Sequence, residues 1–254
     1  MSGGDDAPPD HPILRVTGVS VTYPPATEAL TDISFQVAVG ELIAVVGPNG
    51  AGKSTLFKAI SGLVGHQGSV ELCGNHCHHQ RDRLGAAYIP QRNDLDADFP
   101  ITVGQLVLAG RRRFLRLGQR PGQRHRQAAH DALERVGLAD LRKRPLATLS
   151  GGQMQRAFLA RALAQEAHLI LLDEALSGVD QPRTEALLDL FAELVATGTS
   201  LLVATHDLSL ARRRFSRCLA INHRLVADGP PESALDPDHI EATFGTPPGT
   251  SSAA

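Results

Sequence analysis

Alternating apolar and polar side chains predict half-buried strands in the first part of the chain. Residues 13–23 and 30–39 carry apolar side chains at nearly every second position, and 68–72 forms a shorter segment of the same kind. A period of two is typical of a strand that buries one face and exposes the other.

Uninterrupted apolar runs predict a second kind of strand. They occur at 42–46, 168–174 and 200–206. Four or five consecutive apolar residues are expected where a strand is covered on both faces. A strand is also predicted at 86–91, where it stops at a Pro-Gln corner, and a closing pair of short strands at 218–228.

Helical spacing of apolar residues separates these runs. A helix is predicted to begin near residues 56–60, an amphipathic helix at 184–196, and a helical insert of about sixty residues from about 103 to about 163. Gly137 is predicted to end one helix of the insert. The strand–helix–strand alternation indicates an α/β fold with a parallel sheet.

Composition excludes several classes of protein. The 254 residues are 42% hydrophobic, which suits a soluble domain with a substantial core, and no apolar run is long enough to span a membrane. Residues 1–12 contain no basic residue, so we expect a disordered start and not a signal peptide. The tail from residue 245 is also expected to be loose. Three cysteines form no disulfide framework, and a net charge of −2 does not favour nucleic acid binding.

One segment carries a strong chemical signal, because it matches G-x-x-x-x-G-K-[ST] between a predicted strand and a predicted helix. In that context, glycines turn backbone N–H groups inward and the helix N-terminus adds positive charge, which makes a cradle for phosphates. The lysine is a cation for the terminal phosphates, and the serine hydroxyl is a Mg²⁺ ligand. The predicted ATP-binding residues are Gly47, Pro48, Asn49, Gly50, Ala51, Gly52, Lys53, Ser54 and Thr55.

Polar residues at the ends of other predicted strands extend this site. Asp173 and Glu174 close a buried strand, where Asp173 is predicted to bind Mg²⁺ and Glu174 to polarise an attacking water. Gln91 follows a strand and a proline, from where its amide can reach Mg²⁺ and the water. His206 ends the next buried strand and is a candidate partner of the γ-phosphate and Glu174.

Residues 149–153, Leu-Ser-Gly-Gly-Gln, precede a helix and have two interpretations. Ser150 and Gln153 have the spacing of a capping box, which would simply begin the helix. Alternatively, Gly151 and Gly152 expose backbone N–H groups and form a second anion-binding helix end.

Taken together, these motifs resemble the ATP-binding subunits of ABC transporters. The motifs follow the order that is typical of the family: phosphate loop, Gln, L-S-G-G-Q, apolar-Asp-Glu strand, the loop at 176–180 and His. The resemblance implies a P-loop NTPase core at 13–236 with a mostly parallel sheet, an N-terminal antiparallel β subdomain and an α-helical subdomain inserted at about 92–163. Residues 237–254 would form a C-terminal extension.

The same resemblance implies ATP and Mg²⁺ as cofactors and two ATPase subunits, expected to be a homodimer, facing head to tail. Tyr23 would stack on adenine. The residues predicted to contact the phosphate bound to the other subunit are Ser150, Gly151, Gly152, Gln153 and Asp180. The pair would drive two transmembrane permease subunits from the cytoplasmic face of the membrane. One departure is Ala175, where the family commonly has proline, which would hold Glu174 in extended angles.

Residues 88–103, 205–208 and 222–231 resemble the branch that imports manganese, zinc or chelated iron. There the segment after the Gln meets a cytoplasmic helix of the membrane subunit, and an extracytoplasmic binding protein delivers the cargo. The alternatives are an importer of another small solute and, outside transport, an ABC ATPase of DNA repair or of ribosomes. No heptad run splits the chain and it carries one cassette, so neither is favoured.

Two clusters remain outside this assignment. The Cys and His residues at 73–79 have metal-ligand chemistry, but the spacing matches no recognised zinc site, and a surface loop without bound metal is the favoured interpretation. Arginines are concentrated between 111 and 126 with no acidic residue among them. They are predicted to be a solvated face of the helical insert, with contact to anionic lipid or to the membrane subunit as the alternative.

Overall fold

The computed structural model describes residues 12–72, 86–91, 100–174 and 181–245. The strands are β1 (Leu14–Tyr23), β2 (Thr27–Val37), β3 (Leu42–Val46), β4 (Gln67–Leu72), β5 (Ala86–Ile89), β6 (Leu169–Leu172), β7 (Ser200–Thr205), β8 (Arg217–Asn222) and β9 (Arg224–Gly229). The helices are α1 (Lys53–Ile60), α2 (Val103–Ala109), α3 (Gln123–Arg135), α4 (Gly151–Ala164), α5 (Gln181–Ala196), α6 (Leu208–Arg214), α7 (Pro231–Ala234) and α8 (Pro237–Phe244).

The predicted half-buried strands form one antiparallel sheet. Its order is β2-β1-β4, and β1 is antiparallel to both neighbours. Buried and exposed residues alternate along the second half of β2, as the period of two predicted. The apolar face of this sheet packs with α1 and with one face of the central sheet, so it covers the strand that leads into the phosphate loop.

The uninterrupted apolar strands form the central sheet, in the order β5-β6-β7-β3-β8-β9. Its first five strands are parallel, and β9 closes the edge antiparallel to β8. Ile43 and Val45 belong to one apolar cluster, while Ala44 and Val46 belong to the other. Both faces of β3 are therefore buried, which explains why its sequence shows no alternation.

Between β5 and β6 the chain forms the predicted helical insertion, built from α2, α3 and α4. Helix α2 begins with a capping box, because Thr102 and Gln105 each bind the other's backbone N–H. Helix α3 ends at Arg135, and Gly137 follows with φ 67°, as predicted for a helix end. Helix α5 begins at Gln181, three residues earlier than predicted. The predicted C-terminal extension contains a further helix, α8.

Arg111 departs from the prediction that the arginines form a solvated face. Arg112, Arg116, Arg120, Arg124 and Arg126 are exposed, but Arg111 is only 2% exposed.

The guanidinium of Arg111 lies 3.9 Å from the centre of the Phe114 ring. Its Nη1 donates to the carbonyl of Ala164 at 2.7 Å and to Oε1 of Glu166 at 2.6 Å. A cation at the last turn of α4 stabilises the unpaired carbonyls and the negative end of the helix dipole. Arg111 therefore joins the turn after α2 to the end of α4.

We expect Arg111→Ala to lower the free energy of unfolding by about 2–3 kcal/mol, because it removes charged hydrogen bonds from a buried position. Urea denaturation measures the change. Arg112→Ala is the matched control, since Arg112 is exposed, and it should stay within about 0.5 kcal/mol of wild type. Equal stability of the two variants would contradict a structural role for Arg111.

Candidate active site

The phosphate loop joins β3 to α1, as its sequence context predicted. Gly52 is the N-cap of α1 and has φ 95°, in the left-handed region that favours glycine. A Cβ there would lie 2.6 Å from the carbonyl oxygen of Ala29, and a Cβ on Gly47 would collide with the carbonyl oxygen of Ile221. Backbone packing from β2 and β8 thus requires glycine at both positions.

Lys53 turns its side chain back into the loop. It is 5% exposed, and its Nζ donates to the carbonyl oxygens of Gly47 at 2.6 Å and Pro48 at 2.8 Å. Burial lowers the pKa of Lys53, while the nearby carboxylates of Glu174 and Asp173 act in the opposite direction. The ammonium group is therefore held among backbone oxygens that an anionic ligand can replace.

Asp173 follows the last residue of β6 and is 2% exposed. Its N–H donates to the carbonyl of Ile89 at 3.0 Å, which continues the pairing with β5 beyond the strand. Oδ2 accepts a hydrogen bond from the hydroxyl of Tyr88 at 3.0 Å. Oδ1 is buried and has no hydrogen-bond partner among the described residues.

Glu174 and Gln91 are in direct contact. Nε2 of Gln91 donates to Oε2 of Glu174 at 2.5 Å. Glu174 has φ 48°, an unusual angle for a residue other than glycine. The hydrogen bond links the end of β5 to the end of β6 across the site.

Lys53, Gln91 and Glu174 line one cleft of about 300 Å³. Its lining residues are Asn49, Gly50, Ala51, Gly52, Lys53, Ser54, Thr55, Gln91 and Glu174. Backbone N–H groups and an ammonium lie on one side and a carboxylate and an amide on the other. This arrangement suits a phosphate chain bound with a divalent cation.

The available oxygens fit Mg²⁺. The orphaned Oδ1 of Asp173 is a buried carboxylate oxygen without a donor, which is the situation that a cation relieves. The Ser54 hydroxyl and the Gln91 side chain lie in the cleft lining. Hard oxygen ligands from one carboxylate, with the remainder from substrate and water, are what Mg²⁺ prefers.

The L-S-G-G-Q segment lies at the start of α4 and lines none of this cleft. Ser150 is the N-cap: Gln153 N–H donates to Ser150 Oγ at 3.4 Å, and Ser150 N–H donates to Gln153 Oε1 at 3.0 Å. The capping box is confirmed. Gly151 and Gly152 form the first turn, and Gly152 faces a separate groove towards α5.

Among the described residues, the cleft lining does not include the predicted site residues Gly47, Pro48, Asp173, His206 and Tyr23. His206 follows β7 and is exposed, and Tyr23 ends β1 with 37% exposure. Asp180 lies outside the described residues, as does Ala175. Sequence reasoning missed Tyr88, because its partner Asp173 lies 85 residues further along the chain and a single tyrosine does not reveal that pairing.

The Cys and His residues at 73–79 also lie outside the described residues. Within the described ranges no group of three or more His, Cys, Asp or Glu side chains could hold a metal ion. Cys218 is buried in β8, and burial raises the pKa of its thiol to about 12. In the same ranges, no helix is both long and apolar enough to cross a membrane.

Comparison with known proteins agrees with the nucleotide-binding site that the geometry indicates. The protein family described as "ABC transporter" matches residues 30–177. The chain is 43% identical to a manganese transport system ATP-binding protein of Bacillus subtilis, over 91% of this chain and 92% of that protein. It is 42% identical to a zinc transport system ATP-binding protein of Treponema pallidum, over 85% of this chain and 81% of that protein.

A solved structure gives the same result for the fold. An inward-facing transporter assigned to the metal-chelate type superposes with a TM-score of 0.81 at 27% identity, over 93% of this chain and 90% of that chain. The match to residues 30–177 covers more than half of the sequence, and the relatives align over nearly all of it. The chain therefore belongs to the ATP-binding subunits of the ABC transporter family.

Proposed function

We propose that this chain binds and hydrolyses ATP to energise uptake of a transition metal ion through partner membrane subunits. The observation that carries the proposal is the single cleft in which Lys53 and the phosphate loop face Glu174 and Gln91. The cargo class is supported by relatives named for manganese, zinc and chelated-iron transport. Another small solute remains the alternative cargo.

ATP binding would use the loop as an anion site. Backbone N–H groups of the phosphate loop would donate to the phosphates, and Lys53 would exchange its bonds to the Gly47 and Pro48 carbonyls for bonds to phosphate oxygens. Ser54, Gln91 and Asp173 would hold Mg²⁺. The bound ion neutralises charge that develops on the phosphates during phosphoryl transfer.

Hydrolysis would use the residues opposite the loop. Glu174 accepts hydrogen bonds through its carboxylate, and Gln91 fixes one of the carboxylate oxygens at 2.5 Å. The remaining oxygen can orient a water and accept its proton. His206 is proposed to contact the γ-phosphate, which requires it to approach from its exposed position after β7.

A second ATPase subunit would complete the site. Ser150, Gly151, Gly152 and Gln153 lie at a helix N-terminus outside the cleft, where we propose that they contact a nucleotide on another subunit. The Ser150 and Gln153 N–H groups are bonded within the capping box, so Gly151 and Gly152 would supply the backbone donors. Asp180 is proposed to join them, and Tyr23 to stack on adenine. Because one chain carries every motif, we favour a homodimer that closes on ATP and reopens after hydrolysis.

A groove on the helical insertion is our candidate for contact with the membrane subunits. It has a volume of about 250 Å³, lies between α2, α3 and the segment after α3, and includes the apolar side chains of Leu108 and Leu133. Arg126, Arg142 and Lys143 lie at its rim. These features suit a short amphipathic helix that carries acidic residues.

The complex would contain two permease subunits, with this chain peripheral on the cytoplasmic face. An extracytoplasmic metal-binding protein would deliver the cargo and would not touch this chain. A role with nucleic acid is not proposed.

Removing the carboxylate of Glu174 tests the catalytic assignment. We expect Glu174→Gln to keep ATP affinity and lower the rate of hydrolysis about 100-fold or more, because a general base contributes at least that much. Lys53→Ala should lose ATP affinity as well. Phosphate release and nucleotide titration measure the two effects. Glu134→Gln, on the exposed surface of α3, is the control, and a Glu174→Gln enzyme as fast as this control would refute the assignment.

Placing a charge in the groove tests the membrane contact. Leu108→Asp should weaken assembly with the permease subunits about tenfold or more, since a partly buried apolar side chain of the groove is replaced by a carboxylate. Leu63→Asp is the control, because Leu63 is 63% exposed and outside the groove. Co-purification of the complex measures assembly, and ATP affinity of the isolated subunit verifies the fold. Normal assembly of the Leu108→Asp protein would exclude the groove.

Cellular metal content tests the cargo. In a strain that lacks this chain, we expect manganese, zinc or iron alone to fall under metal-limited growth. The wild-type gene should restore it, and Lys53→Ala should not, because the lysine is needed for nucleotide binding. Elemental analysis identifies the metal. If no transition metal changes, the cargo is another solute, whereas the ATPase assignment is unaffected.

A further inference from the structure

Tyr88 occupies a position in β5 that brings its hydroxyl to Asp173. In the parallel pairing of β5 with β6, Tyr88 lies opposite Leu171, so Asp173 lies two residues further along the neighbouring strand. Two residues of a strand span about 6–7 Å and return the side chain to the same face of the sheet. Leu171 belongs to the apolar cluster against which the Tyr88 ring packs. A tyrosine at this register therefore reaches the carboxylate with its hydroxyl, as the 3.0 Å hydrogen bond shows.

Only one of the two oxygens of the Asp173 carboxylate has a hydrogen-bond partner among the described residues. Oδ2 accepts from Tyr88, while Oδ1 is buried without a partner among the described residues. A buried, unpaired carboxylate oxygen is unfavourable unless a cation or donor meets it. The phenol is neutral, so its hydrogen bond fixes the orientation of Asp173 without cancelling the negative charge that a divalent cation needs.

We propose that Tyr88 is a positioning residue for the metal of the ATP site: it anchors Oδ2 of Asp173 so that Oδ1 is presented to the divalent cation. The inference rests on the proposed ATPase site and deepens it. Gln91 performs a parallel task three residues later, where it holds Glu174. The end of β5 thus orients both acidic side chains at the end of β6, one through a hydroxyl and one through an amide.

Tyr88→Phe tests the inference, because it removes the hydroxyl and keeps the ring that packs against the core. The full-length protein is titrated with Mn²⁺ in the presence of a non-hydrolysable ATP analogue, and bound metal is followed by electron paramagnetic resonance. We expect the Mn²⁺ dissociation constant to rise roughly three- to tenfold, the range for one hydrogen bond. Affinity for the analogue in EDTA should not change.

Steady-state kinetics and a second variant give independent readouts. The Mg²⁺ concentration for half-maximal hydrolysis should rise by a similar factor. The factor by which kcat falls should be smaller than this rise. Since Tyr88 acts through Asp173, Tyr88→Phe should cause no further loss of Mn²⁺ affinity when Asp173→Ala is already present.

Two results would overturn the inference. One is a Tyr88→Phe protein that binds Mn²⁺ as tightly as wild type. The other is an equal loss of affinity for the metal-free analogue, which would show a general disturbance of the site. In either case wild type still binds Mn²⁺ with the analogue, and the proposed ATPase site stands. If wild type itself binds no metal with the analogue, the proposed site and the inference fall together.

Discussion

The parallel hydrogen bonding of β5, β6, β7 and β3 is the constraint on which the site depends. In such a sheet all carboxyl ends meet at one edge, so the residues that follow each strand become neighbours although they are far apart in sequence. The phosphate loop follows β3, the two carboxylates follow β6, and Gln91 follows β5. Burial of both faces of β3, β6 and β7 fixes their register, because sliding a strand would break its ladder and its packing together.

Opposite charges lie close together at the site before any ligand arrives. Lys53 is buried against two carbonyl oxygens and lies near the carboxylates of Asp173 and Glu174, which oppose the lowering of its pKa by burial. A nucleotide with its metal would add both signs of charge at once: in the proposed site the phosphates would meet the lysine, and the cation would meet Oδ1 of Asp173. Binding of both would therefore satisfy the lysine and the carboxylate together, which neither the phosphates nor the cation alone would do.

Many of the strands, helix ends and caps could be predicted from the sequence, because they are determined by residues close together in the chain. The runs at 42–46 and 200–206, the Ser150–Gln153 capping box and the helix end before Gly137 are set by neighbours within a few residues. Arg111 and Tyr88 could not be assigned in this way. Arg111 meets Ala164 and Glu166 only after α2 and α4 pack, and Tyr88 meets Asp173 only once β5 and β6 are in register. Long-range partners depend on topology, which a tract of arginines or a single tyrosine does not reveal.

Glu174 shows how local sequence and long-range contacts act on the same residue. The sequence has Ala175 where a proline would press Glu174 towards extended angles, and Glu174 instead has φ 48°. Such an angle costs about 1–3 kcal/mol and persists only where surrounding contacts determine it. Those contacts lie on both sides of the residue: the bond from Asp173 N–H to Ile89 fixes the chain before it, and Gln91 holds its carboxylate. The end of β5 therefore contacts both the backbone that enters Glu174 and the side chain of Glu174 itself.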